Sequence, residues 1–380
     1  MSSLVLDRDE KGVVNMIKLP LVHSMHNHLR QSHLTRFAMK NLVESGFRGY
    51  VVAEPNIQPP VLDAKSYSGY DAYLKDVSRY DMDRLGVQVP GTLTFLVAIQ
   101  ITEKTTRQTI REAHEVGCRI AKVYPRDVTT NSENGVVEYE NIYPALEEAQ
   151  GLGWVVQFHG EHPSFDVEGP KKEPEFIFKK LIPIAQKFKK LKISLEHIST
   201  AFAVRWIGEM NSGVQKPRIV GGIAPQYMHL TNDDVSGYSL RSGCKAHTEL
   251  HCKPMLKWND DRAHIQAAAV SGEKCWVYAP DDAPHYASQK GPGECNCGIF
   301  NAKVGIPVAI SLAEQRKALE HLPALFSDNA TAFYDLPSLD GYIIVQRDPW
   351  VVEKKYPVDG VDDYVISMLA GETVDWRVVS

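Results

Sequence analysis

The strongest constraint on the fold is an alternation along the chain. Apolar runs of strand length are followed, about eight times over, by stretches with helical periodicity. Candidate strands fall at 21–25, 49–53, 91–99, 119–124, 154–158, 192–196, 218–224 and 275–279. Candidate helices fall at 34–44, 70–83, 103–115, 142–151, 175–189, 201–210, 260–270 and 311–321. Parallel strands need a long crossover between them, and a helix supplies it, so strand–helix repeats build a parallel sheet wrapped by helices. These strands are apolar on both faces, as expected for a sheet covered outside by helices and filled inside by side chains.

The pattern points to an α/β fold, a closed (β/α)8 TIM barrel. Its rival is an open doubly wound sheet, which normally carries a Gly-rich phosphate turn after an early strand; none follows Met25 or Ala53. No repeat, low-complexity tract or Gly/Ser linker divides the 380 residues, so one domain is expected over 1–380. From about residue 322 the chain reads as an irregular extension with a late strand at 341–346.

Charge narrows the function. With 42 Lys+Arg against 47 Asp+Glu the net charge is −5, which gives no broad basic field for nucleic acid or anionic lipid. No apolar window is long enough to span a membrane, and residues 1–9 lack a basic flank before an apolar core, so a cytoplasmic protein is expected. The six cysteines are sparse, and Cys244 and Cys252 are badly spaced to complete a zinc knuckle with Cys295 and Cys297. Buried or loop thiols are the simpler expectation.

The chemically unusual residues collect where candidate strands end, at the C-terminal face where barrels build their sites. His26 and His28 lie two apart in extended chain and face the same way, making half a metal site, with Arg30 on the same parity as a carboxylate grip. A lone His-x-His also arises by chance among fourteen histidines. His159 and His197 close the fifth and sixth strands, and four histidines at three strand ends favour a metal over packing. Lys122 sits inside an apolar strand, where a buried ammonium must be paired or lose its proton. It is either salt-bridged or snorkelling, or it adds carbon dioxide to become an anionic carbamate bridging two cations. Asp281 follows the eighth strand as a candidate ligand and proton carrier, with Asp282 as competitor or turn cap.

Together these residues resemble dihydroorotase, a zinc amidohydrolase of pyrimidine biosynthesis, in its shorter single-domain bacterial and fungal type. The likeness runs in order through His26-Asn-His28-Leu-Arg30, Pro55-Asn56-Ile-Gln-Pro-Pro60, Lys122-Val-Tyr-Pro125 and Thr129-Thr130-Asn-Ser132. It continues through His159-Gly-Glu161, Glu196-His197-Ile-Ser-Thr200, Pro225-Gln226, Cys252-Lys-Pro254, Asp281-Asp-Ala-Pro-His285 and Phe300-Asn-Ala302. The resemblance implies a metal-dependent hydrolase barrel with two zinc ions: His26, His28 and Asp281 on one, His159 and His197 on the other, carbamylated Lys122 between them. It implies reversible cyclisation of N-carbamoyl-L-aspartate to L-dihydroorotate through a metal-bridged hydroxide, with Asp281 as general acid/base. It further implies that Arg30, Asn56 and His285 bind the substrate carboxylate, that Thr129 and Thr130 form a closing loop, and that the backbone at Lys253 and Cys297 holds the ring. A homodimer is implied by the same likeness.

The chain departs from the family pattern at Ser24 and Gln31, where acids are usual, and at Ala279-Pro280 and Asp282 around the catalytic aspartate. Lys253 and Cys297 also replace the usual smaller or apolar residues, which backbone contacts tolerate. Two alternatives stand beside this reading. One is a hydantoinase- or allantoinase-like cyclic-amide hydrolase, whose added β-sandwich has little room in the 25 residues before His26. The other is an inactive homologue serving assembly, which would be expected to have lost ligands.

Overall fold

The computed structural model describes residues 4–81, 93–239, 243, 245–291 and 294–379. Its centre is an eight-stranded parallel sheet running in chain order from β3 to β10. The strands are β3 (Val22–Asn27), β4 (Phe47–Ala53), β5 (Thr94–Ile101), β6 (Ile120–Val123), β7 (Val155–His159), β8 (Lys192–Glu196), β9 (Ile219–Ile223) and β10 (Trp276–Tyr278). Each overlaps a strand read from the sequence; the start of the expected 91–99 strand and the end of the expected 70–83 helix lie outside the described residues.

The sheet curls into a barrel whose seam is joined at the C-terminal rim. His28 N–H donates to Asp282 O at 2.9 Å, and Asp281 N–H donates to His26 O at 3.1 Å. The interior is filled, as expected, by one inward-facing residue from strand after strand: Met25, Val52, Ala98, Ile120, Val155, Val220 and Val277. Its N-terminal end is plugged by the helix Asn329–Phe333, with Phe333 and Tyr334 joining this cluster and the Gln157 amide donating to the Tyr334 hydroxyl at 3.1 Å.

Seven of the outer helical segments fall close to their expected positions, among them His33–Glu44, Arg107–Glu115 and Ala201–Asn211. The eighth differs: a helix was expected at 311–321 and the structure has Ala302–Gln315. Its first half is apolar on nearly every face and holds Pro307, so it shows no amphipathic period; it is buried all round. The Asp282 carboxylate caps it, accepting from the Asn301 and Ala302 amides at 2.7 and 2.9 Å.

A second sheet joins the two ends of the chain. Strands β1 (Val5–Arg8) and β2 (Val14–Pro20) pair antiparallel, β2 pairs with β13 (Tyr342–Val351), and β13 pairs with β16 (Thr373–Val378). Two short ribbons, β11 (Lys290–Gly291) with β12 (Glu294–Cys295) and β14 (Tyr356–Pro357) with β15 (Tyr364–Val365), complete the set. The late strand is therefore longer than expected and has a further partner in β16. The 25 residues before His26, expected to leave little room for an added β-sandwich, contribute β1 and β2 to this single four-stranded sheet. Cys118, Cys252 and Cys275 are buried free thiols, as expected, while Cys244 lies outside the described residues.

Two glycines set the spacing of β9. A Cβ on Gly222 would sit 3.0 Å from Ala279 Cβ and 3.2 Å from the His197 amide nitrogen. Gly222→Val is expected to destabilise the fold by about 1–3 kcal/mol through overpacking. Thermal unfolding checks this, and an unchanged midpoint would show that the strand spacing relaxes freely.

Candidate active site

Lys122 and His285 aside, every site residue read from the sequence lines one narrow cleft at the C-terminal rim. Backbone geometry helps to gather them. Arg30, His197 and Asp281 all adopt left-handed φ values, of 59°, 38° and 51°, which ordinary side chains seldom tolerate. At His197 this turn lets two consecutive residues, Glu196 and His197, both reach the cluster.

The hydrogen bonds determine which ring nitrogens are free. His26 Nδ1–H donates to Glu196 Oε2 at 2.8 Å, and His28 Nδ1–H donates to Asn56 Oδ1 at 2.8 Å. Each Nε2 is left as a lone pair, since burial holds both imidazoles well below the usual histidine range. These two Nε2 atoms lie 3.3 Å apart, and Asp281 Oδ1 lies 3.4 and 3.3 Å from them. Three acceptors facing one another repel unless a cation sits between them. Their spacing is also the edge of a tetrahedron with metal bonds of about 2.1 Å. His26, His28 and Asp281 thus fit a divalent metal.

His159 and His197 lie side by side next to this set. Their rings stack edge to face with centroids 4.7 Å apart. His159 Nε2–H donates to Glu161 Oε2 at 2.7 Å, which frees Nδ1 as a donor, and His197 Nδ1 is buried without a hydrogen-bond partner. Burial pushes the carboxyls of Asp281 and Glu196 up to about 7, a cost that a bound cation would remove.

Lys122 is fully buried beneath these histidines, with Nζ 3.4 Å from His26 Nδ1 and 3.2 Å from Glu54 Oε2. Glu54 is therefore the carboxylate that a buried ammonium requires. Arg30 is anchored through Nε to Pro284 O at 3.1 Å, and burial lowers it only to about 10, so it stays cationic at neutral pH. His285 Nε2 lies 2.8 Å from an Arg30 terminal nitrogen and 3.0 Å from Cys297 O. Asn56 spends its amide inside the site, accepting from His28 and donating to Thr130 O at 3.1 Å. The Thr130 hydroxyl accepts the Cys297 amide at 3.2 Å, so this loop is seated on the cleft; Thr129 and Lys253 border it.

Asp281 and Asp282 separate cleanly: the first faces the histidines, the second caps a helix. Gln31 uses its amide to bridge the Gln58 backbone in both directions, at 2.7 and 3.0 Å.

No family model matches the chain. A dihydroorotase of Shewanella baltica (strain OS155 / ATCC BAA-1091) is 33% identical over 357 residues, 93% of this chain and 96% of that one. The chain belongs to the dihydroorotase family. A Vibrio vulnificus dihydroorotase is 30% identical over 355 residues, again 93% of this chain and 96% of its own length. Among solved structures, a dihydroorotase from Saccharomyces cerevisiae in complex with 5-fluoroorotic acid superposes with a TM-score of 0.86 at 26% identity. It covers 96% of this chain and 99% of that one. An L-hydantoinase from Arthrobacter aurescens shares the fold, with a TM-score of 0.77 at 15% identity, over 95% of this chain and 83% of that one.

Against the dihydroorotase pattern, sequence reasoning gave no role to Glu54, Glu161, Glu196 or Gln226. Period-two alternation would have found Glu54, which continues the inward row of Tyr50 and Val52. Gln226 donates to the second Asp281 oxygen at 3.4 Å and is itself held by Asn301 at 2.9 Å. Glu161→Ala is expected to free the His159 ring and weaken metal binding about 10–100-fold. Metal titration of stripped protein checks this, and wild-type affinity would remove Glu161 from the site's support.

Proposed function

We propose that this chain is a dihydroorotase, interconverting N-carbamoyl-L-aspartate and L-dihydroorotate in pyrimidine synthesis. The observation that carries this reading is the half-buried Arg30 guanidinium in the same cleft as the converging His26, His28 and Asp281 donors. Cyclic-amide hydrolysis needs the donors, and the substrate's free carboxylate needs the guanidinium.

We assign the cofactor as two zinc ions, which His26, His28 and Asp281 would hold on one side and His159 and His197 on the other, with Lys122, carbamylated, as the ligand that would be shared between them. When bound they supply Lewis acidity, polarising the amide carbonyl and raising the acidity of water. The chain's own residues do the rest. Arg30 pairs with the substrate carboxylate, with His285 and Asn56 beside it, and so turns the ring's amide toward the histidines. The backbone at Lys253 and Cys297 lies along the ring. The Thr129–Thr130 loop closes over it and excludes bulk water. Asp281, whose second oxygen is steadied by Gln226, carries a proton to the leaving nitrogen during hydrolysis and takes it back during ring closure. The protein is read as one cytoplasmic domain acting as a homodimer; among the described residues no helix is long and apolar enough to cross a membrane.

Ring opening of L-dihydroorotate, compared with 5,6-dihydrouracil, tests the substrate. Turnover of the carboxylate-bearing ring alone is expected; preference for dihydrouracil would make the chain hydantoinase-like, and no turnover with zinc present would favour an inactive homologue. Arg30→Met is expected to reduce kcat/KM for dihydroorotate by about 100-fold or more, as loss of a charge-assisted pair does. Removal of the bridge is the second test. Lys122→Ala is expected to abolish activity and two-metal loading, with partial rescue by a short carboxylic acid; near-normal turnover with both metals would exclude the carbamate.

A further inference from the structure

Glu54 has no part in the assignments above, yet it is among the most completely buried charged groups in the molecule, with its side chain 0% exposed. It stands just past the C-terminal end of β4, in the inward row of Tyr50 and Val52. Its Oε2 receives the Tyr124 hydroxyl at 2.9 Å and lies 3.2 Å from Lys122 Nζ. Its Oε1 has no hydrogen-bond partner and sits 3.7 Å from His26 Nδ1. That is the side of His26 turned away from His28 and Asp281, whose donors meet Nε2. Glu54 is thus placed below the metal donors and not among them. Among the described residues, its close cationic neighbour is the lysine proposed to become the bridge.

We propose that Glu54 is a positioning residue for the bridging lysine, accepting the Nζ–H of Lys122 and thereby fixing the direction of its carbamate. The inference rests on the carbamate reading given above. Carbamate formation joins the neutral amine nitrogen to the carbon of carbon dioxide and releases one proton to solvent. The product keeps a single N–H, and conjugation holds that N–H coplanar with the two new oxygens, as in a peptide. Anchoring the N–H therefore orients the whole group. With the hydrogen directed at Glu54 Oε2, the carbamate oxygens leave the other side of the nitrogen, away from the Glu54 anion and toward the histidine donors. Repulsion between the two anions enforces the same direction. Tyr124 completes the arrangement by donating its hydroxyl to Oε2 at 2.9 Å, which holds the acceptor in place.

The test uses the full chain loaded with zinc in 13C-labelled bicarbonate, reading the carbamate carbon by NMR and zinc per chain by elemental analysis. Wild type is expected to show the carbamate signal and about two zinc ions. Glu54→Gln keeps an acceptor oxygen and should retain both. Glu54→Leu should lose the carbamate signal and bind the second zinc at least about tenfold more weakly. Should the leucine variant fail to fold, Tyr124→Phe removes only the hydroxyl and is expected to lower the carbamate occupancy part-way. Wild-type carbamate and zinc in both Glu54→Leu and Tyr124→Phe would overturn the role of Glu54 alone, as would a glutamine variant as defective as the leucine one. A wild-type protein with no carbamate signal would take down the bridging assignment and this inference together.

Discussion

Two backbone hydrogen bonds at the barrel seam are what the rest of the site depends on. The amides of His28 and Asp281 cross between the first strand and the segment after the last, one in each direction. They close the sheet at its C-terminal rim, and in doing so bring a carboxylate from residue 281 within reach of imidazoles from residues 26 and 28. Closure of the fold and assembly of the candidate metal site are thus one event. The neighbouring Asp282 strengthens the same junction, because its carboxylate caps the helix Ala302–Gln315 packed behind it.

Around that junction, three of the four imidazoles are each oriented by a different group. Glu196 takes the Nδ1 proton of His26, Asn56 that of His28, and Glu161 the Nε2 proton of His159. A ligand histidine is useful only in one tautomer, and an acceptor on the far nitrogen fixes which one. The acceptors sit on β8, after β4 and after β7, so the barrel itself and not a flexible loop holds the chemistry in register. Burial without countercharge would raise these carboxyls, as it does for Glu196 and Asp281. The donor set is therefore best suited to a site that contains cations.

The sequence made the barrel legible because its strands are short, apolar and locally encoded, and its site readable because strand-end histidines interrupt apolar runs. What it hid is instructive. The helix Ala302–Gln315 is buried on most faces, so no amphipathic period marks it. Strands β1 and β2 carry mostly exposed or half-exposed residues, and β2 finds its other partner near the far end of the chain, beyond the reach of any local pattern. Glu54 escaped for another reason: it stands beside the Pro55-Asn56 turn and reads as part of a polar loop. Only its place beside Lys122 gives it meaning.

The pairing of β2 with β13 has a consequence for biogenesis. Met16 to Pro20 align with Tyr342 to Gln346, and the helix Asn329–Phe333 seals the barrel floor just before that second strand. Neither contact can form on the ribosome until residues 329–346 have been made. Long-range pairing of this kind slows folding, because the loop-closure entropy comes due before the contacts repay it. The nascent barrel must therefore wait, open at its base and with an unpaired edge on β2, for residues 329–346 to arrive.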